Sequence, residues 1–208
     1  LADTHDTGIA YFESLGLLGG STGMAPIISA TTTMPAVDAY SSQLTVEVTD
    51  SVLKYTQTTA GANRFASWNL GATMDKALVI SYFQMGTSGD TQGLMFSENT
   101  YSGSQATQHY PEDIYRYQNY AYSPYADAIW LYKRVGTSYT KVGEDLTIFV
   151  QTDPAAHVYG LALYCEKGNP GVQKCFMKDG STTSQWIQIL SATDGAFTTG
   201  FQSIGILT

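Results

Sequence analysis

From Leu44 onward the chain is a succession of short β-type runs, recurring roughly every eight to fifteen residues. They are Leu44–Val48, Ser51–Gln57, Arg64–Trp68, Ala77–Met85, Gly93–Ser97, Ile114–Tyr120, Ala128–Val135, Tyr139–Gly143, Leu146–Val150, His157–Glu166, Val172–Lys178, Gln185–Leu190 and Gln202–Leu207. β-Branched and aromatic residues fill the runs, and Gly, Pro, Asn and Asp punctuate them. No helix-length window carries an apolar stripe of 3.6-residue period. Many short strands at this spacing can bury their apolar faces only against one another, so the expected fold is all-β, a two-sheet antiparallel β-sandwich.

Residues 1–43 read differently. Past a short apolar stretch at Phe12 and Leu15–Leu18 they run through Gly19-Gly20-Ser21-Thr22-Gly23 and Ala30-Thr31-Thr32-Thr33. Such a composition predicts an extended N-terminal arm or linker, with room for one edge strand, ahead of a sandwich domain over 44–208. The chain opens at Leu1 rather than at a Met, and no leader-type apolar run begins it.

Charge narrows the partners. Only 13% of the 208 residues are charged, the net charge is −8 and the isoelectric point is near 4.6. Phosphate backbones demand clustered Lys and Arg, and the one close pair here is Lys133-Arg134, so no nucleic-acid partner is expected. Apolar runs such as Ala77–Ile80 are far too short to enter a bilayer, so no membrane insertion is expected.

Two hairpins can be set in register. Gly136-Thr137 is a two-residue, Gly-first loop that places Arg134 opposite Tyr139 and Tyr132 opposite Lys141. The second turns at Gly168–Gly171. A register pairing Glu166 with Lys174, Tyr164 with Phe176, Leu163 with Met177 and Cys165 with Cys175 combines ionic, aromatic, apolar and sulfur pairs. Cys165 and Cys175 then form either a disulfide or two buried thiols.

Three stretches resemble the concanavalin-A-like, laminin-G-like jelly rolls. They are Phe12–Gly20, with its Gly-x-Leu-Gly-Gly ending; Ile129–Val135 with Ser138-Tyr139-Thr140; and Cys175–Gly180 with Thr193-Asp194-Gly195 and Gly200–Ile206. The resemblance implies a jelly-roll sandwich. As a group such modules bind glycans or proteins, build phage and viral structural proteins, or cleave glycans.

The cleaving branch sets paired carboxylates on one strand face as Glu-x-Asp-x-Glu. The glutamates here are Glu13, Glu47, Glu98, Glu112, Glu144 and Glu166, and none has an Asp two positions on. The Arg-x-Glu-Leu-Arg strand of the lyase branch is missing too. His5, His109 and His157 stand far apart, outside any metal-ligand spacing. No enzyme activity and no cofactor are therefore expected, although loop aspartates such as Asp90 and Asp194 could hold a structural calcium ion or simply cap turns.

Aromatic residues crowd into the stretch from Tyr110 to Tyr132. Tyr110, Tyr117, Tyr120, Tyr122 and Tyr125 are the candidates for a ligand or interface surface, because tyrosines offer a ring face and a hydroxyl at low entropic cost. The competing reading is that tyrosine suits strands. The expected function is a non-enzymatic structural and adhesion module. It would act at an extracellular or virion surface as a decoration or fibre component, with subunits of the same assembly and glycans as partners. The alternatives are a carbohydrate-binding module of a secreted protein and, behind it, a glycan-active enzyme.

Overall fold

The computed structural model describes residues 12, 15, 37–41, 44–49, 52–57, 64–84, 91–105, 113–120, 128–145, 158–179 and 185–207. Its elements, in chain order, are β1 (Ala39–Ser41), β2 (Leu44–Thr49), β3 (Val52–Gln57), β4 (Phe65–Met74), β5 (Lys76–Gln84), β6 (Thr91–Ser97) and β7 (Gly103–Gln105). There follow β8 (Ile114–Tyr120), β9 (Ala128–Val135), β10 (Ser138–Asp145), β11 (Val158–Glu166), β12 (Gly171–Asp179), β13 (Ile187–Asp194) and β14 (Phe201–Leu207). The run expected at Leu146–Val150 lies outside the described residues.

An eight-stranded sheet in the order β10-β9-β8-β6-β14-β4-β1-β7 packs against a four-stranded sheet in the order β13-β12-β11-β5. Among the described residues the pairs are antiparallel except β1 with β7. This is the two-sheet sandwich expected from the strand pattern. Strands β2 and β3, expected within it, pair with each other as a separate hairpin. Conversely, β1 lies inside the large sheet, so sheet membership reaches back to Ala39, within the stretch expected as arm.

The core between the sheets follows from alternation. Ala66 and Trp68 of β4, Leu94 and Phe96 of β6, Tyr115 of β8, Leu131 of β9 and Ile206 of β14 face Leu161, Leu163 and Cys165 of β11 and Cys175 and Met177 of β12. Alternate residues of the small sheet are apolar on the other side as well. Leu78, Ile80 and Tyr82 of β5, Ala162 and Tyr164 of β11 and Phe176 of β12 cluster there with Trp186 and Phe12. The outer face of the large sheet carries its own apolar patch of Ala39, Phe65, Met95, Ile114 and Leu207, with Tyr101 beside it.

The β11–β12 hairpin departs from the expected register. Glu166 pairs with Val172, Tyr164 with Lys174, Leu163 with Cys175, Leu161 with Met177 and Cys165 with Gln173. The shift is two residues, so every side chain keeps its expected face and changes its partner. Its cause lies outside the hairpin. The Lys167 N–H donates to the Asp75 carbonyl (2.8 Å) and the Gly168 N–H to the Phe197 carbonyl (3.3 Å), so the turn's donors serve neighbouring connections instead of crossing to β12. Cys165 and Cys175 are consequently diagonal neighbours rather than opposed, and both are buried free thiols, not a disulfide.

Candidate binding surface

The β9–β10 hairpin forms in the expected register, Arg134 opposite Tyr139 and Tyr132 opposite Lys141, around a Gly136 at φ 56°. Strand β8 adds the next rung by setting Arg116 opposite Tyr132 and Ile114 opposite Arg134. On the outer face of the large sheet these registers interleave cations and rings. The Arg116 guanidinium carbon lies 4.9 Å from the Tyr132 ring centroid and 5.2 Å from that of Tyr139. That of Arg134 lies 5.0 Å from Tyr139, and the Lys141 Nζ lies 4.9 Å from Trp130. Trp130 and Tyr132 meet edge-to-face at 5.7 Å and 85°. Each cation–ring contact stabilises by roughly 0.5–2 kcal/mol, more where water is excluded. Arg116 and Arg134 are only 7% and 6% exposed, whereas Tyr139 is 40% exposed and Lys141 is open to solvent. The arginines thus form the floor of the ladder, and Tyr139 with Lys141 forms its accessible edge.

A polar hub holds this hairpin in place. Asp113, at φ 53°, precedes β8 in a left-handed conformation that Asp tolerates better than most residues. Its carboxylate accepts from the Gly136 N–H (3.1 Å) and from Asn99 Nδ2 (3.1 Å). Its carbonyl accepts from the Glu98 N–H (3.1 Å) and the Ser97 hydroxyl (3.0 Å). One residue thereby ties the β9–β10 turn to the connection after β6.

The inner face of the same strands is pinned to the small sheet. Lys133 of β9 forms an ion pair with Asp194, at the end of β13, and the Tyr115 hydroxyl donates to Asp194 Oδ1 at 2.8 Å. The Ala196 N–H donates to the same oxygen at 2.9 Å. Burial pushes the Asp194 carboxyl up, but hydrogen bonds from Lys133, Tyr115 and the Ala196 N–H outweigh it and hold the group below its usual range. Burial, followed by the hydrogen bond to Asp194 and its negative charge, pushes the Tyr115 phenol well above its ordinary value. The Tyr115 ring stacks edge-on against Phe197 at 4.5 Å.

Of the residues singled out from sequence, Tyr110, Tyr122 and Tyr125 lie outside the described residues. Tyr117 and Tyr120 occupy β8, at register positions opposite Leu131 and Ala128 of β9. Asp90 is likewise outside. Asp194 is engaged by Lys133 and Tyr115, and among the described residues no group of three His, Cys, Asp or Glu side chains could hold a metal ion. Glu98 accepts from the Thr199 N–H at 2.8 Å and Glu166 from the Tyr164 hydroxyl at 2.9 Å, so both have structural partners. None of the ladder members Arg116, Trp130, Tyr132, Arg134, Tyr139 and Lys141 was among the five tyrosines singled out as a ligand or interface surface. The hairpin register read from the Gly136 turn already sets Tyr132 opposite Lys141 and Arg134 opposite Tyr139, but Arg116 needed the β8–β9 register.

Comparison with protein-family models and with curated proteins gives no match. Among solved structures the chain is similar to the metal-free form of lectin I-B4 from Griffonia simplicifolia. The two share 10% identity at a TM-score of 0.46, over 80% of this chain and 83% of that one. A likeness at that level carries no argument about what this chain binds, and the fold description rests on the sheets themselves.

Proposed function

We propose that this chain is a non-catalytic adhesion module that holds a glycan on the aromatic–cationic ladder of β8, β9 and β10. The observation that carries this reading is the accessible edge formed by Tyr139 and Lys141 above a floor of stacked guanidinium groups. A sugar ring offers C–H groups to an aromatic side chain and hydroxyl or carboxylate oxygens to a cation, and strands locked in register present both at low entropic cost. The cations stand out from a chain of net charge −8, which favours glycans carrying acidic groups over neutral ones. Display on an extracellular or virion surface belongs to the same proposal, supported by the Thr-, Ser- and Gly-rich, weakly charged composition.

The test is an array of neutral and acidic glycans probed with the full chain and with a Tyr139→Ala/Lys141→Ala variant. Binding that weakens about tenfold or more in the variant, roughly 1.4 kcal/mol, and is unchanged by Ile187→Thr on β13 is expected. Absence of glycan binding, or binding indifferent to Tyr139 and Lys141, overturns the reading.

A further inference from the structure

Strand β10 stands at one end of the large sheet, with β9 as its strand neighbour among the described residues. Ser138, Tyr139, Thr140 and Lys141 are consecutive in it and all exposed, a run that the edges of the small sheet, β5 and β13, do not match. Backbone direction follows from the turn. A two-residue hairpin closes on a hydrogen-bonded pair, here Val135 with Ser138, and the pairs alternate beyond it. Ser138 and Thr140 therefore bond towards β9, while Tyr139 and Lys141 turn their N–H and C=O groups to the open side. Such an edge is a template for one further strand.

We propose that the further strand is β10 of a second copy, paired antiparallel about a two-fold axis at Thr140. In that register Tyr139 lies opposite the other copy's Lys141, and Lys141 opposite its Tyr139. Each pair exchanges both backbone hydrogen bonds, because these residues are the ones whose groups face the open side. Thr140 meets its own counterpart at the axis, a favourable cross-strand pair. Charge decides the register. Across the outer face one chain already alternates cation and ring, with Arg116 opposite Tyr132 and Tyr132 opposite Lys141. The other copy continues that row with its Tyr139 and then its Arg134, so the alternation crosses the axis unbroken. A slip by one residue would turn the two ladders to opposite faces, and a slip by two would set Lys141 against its counterpart or against the turn. The two ladders thus become one surface to which both copies contribute. The turn and the bulge between Lys141 and Gly143 confine the pairing to a short stretch. The patch falls below the roughly 1,000 Å² that marks a stable interface, so the dimer is weak and forms where copies are concentrated.

The direct test is Thr140→Cys in the full chain. A residue on the axis at a non-hydrogen-bonded site lies about 4.5 Å from its counterpart, Cα to Cα, within disulfide reach. In a glutathione redox buffer this variant should form a disulfide-linked dimer on non-reducing gels. Ser138→Cys, whose counterpart lies roughly 14 Å away along the paired strands, should not. The native thiols, Cys165 and Cys175, are buried and stay out of the reaction. In sedimentation equilibrium the average mass of the parent chain should rise with loading. Thr140→Asp and Thr140→Lys should each stay monomeric, since like charges meet at the axis, and their equimolar mixture should form the dimer. Thr140 alternates to the face opposite the ladder, so these variants leave the glycan test untouched and the two readings fail separately. Thr140→Cys that links no faster than Ser138→Cys, or a mixture of Thr140→Asp and Thr140→Lys that stays monomeric, would overturn the proposal.

Discussion

Asp194 brings together opposing terms on one side chain. Burial alone would raise its carboxyl, yet Lys133, Tyr115 and the Ala196 N–H hold it below its usual range. Removing the charge leaves Lys133 without its described partner, and Asp194→Asn should cost about 1–3 kcal/mol after allowance for the partial exposure of the pair. In a domain of this size that corresponds to a fall in Tm of roughly 3–10 °C. The sign of the pH dependence follows from a carboxyl held lower in the folded than in the unfolded chain. Between the two values the unfolded state binds more protons, so this contribution is complete above about pH 4, the unfolded value, and is lost as pH falls through the folded one. Thermal melts from pH 7 down to 3 should converge for the parent chain and Asp194→Asn at the acid end. Parallel curves would show that the pair contributes nothing.

Among the elements, the two hairpins contrast in how locally they are encoded. The β9–β10 turn has two residues, a glycine at φ 56° and a register that any observer of the sequence could write down. Gly136→Val places a β-branched side chain in a left-handed conformation and should destabilise by about 1–3 kcal/mol, while also loosening the ladder that the turn aligns. An unchanged melting temperature for Gly136→Val would contradict the assignment of this turn. The β11–β12 hairpin was legible only in its faces. Its expected ion pair, aromatic pair and sulfur pair were mutually consistent, but a register two residues away buries the same side chains. The choice was made by Lys167 and Gly168, whose N–H groups bond to Asp75 and Phe197, residues remote in sequence.

At the scale of the whole molecule, the sandwich core encloses Cys165 and Cys175, and burial pushes both thiols far above their usual range. Neither should react with a thiol reagent such as DTNB at pH 8 in the native state, and both should react once the chain is unfolded in guanidinium. Rapid native labelling would mean that the two sheets do not close over β11 and β12. Composition, strand spacing and turn residues determined by themselves that this chain is all-β, that it folds as a sandwich, where most strands lie, and how β9 and β10 pair across the Gly136 turn. Those properties are legible because alternation and turn chemistry act within a few residues. Only the tertiary structure decided that β14 lies between β4 and β6, that β2 and β3 pair apart, that Arg116 joins the ladder, that Lys133 meets Asp194, and that Phe12 is buried on the small sheet. Each of these joins positions distant in the chain. Closing such loops costs an entropy that rises only slowly with their length, so the selection falls to the apolar surface and hydrogen bonds gained by the whole assembly of strands, which no local pattern carries.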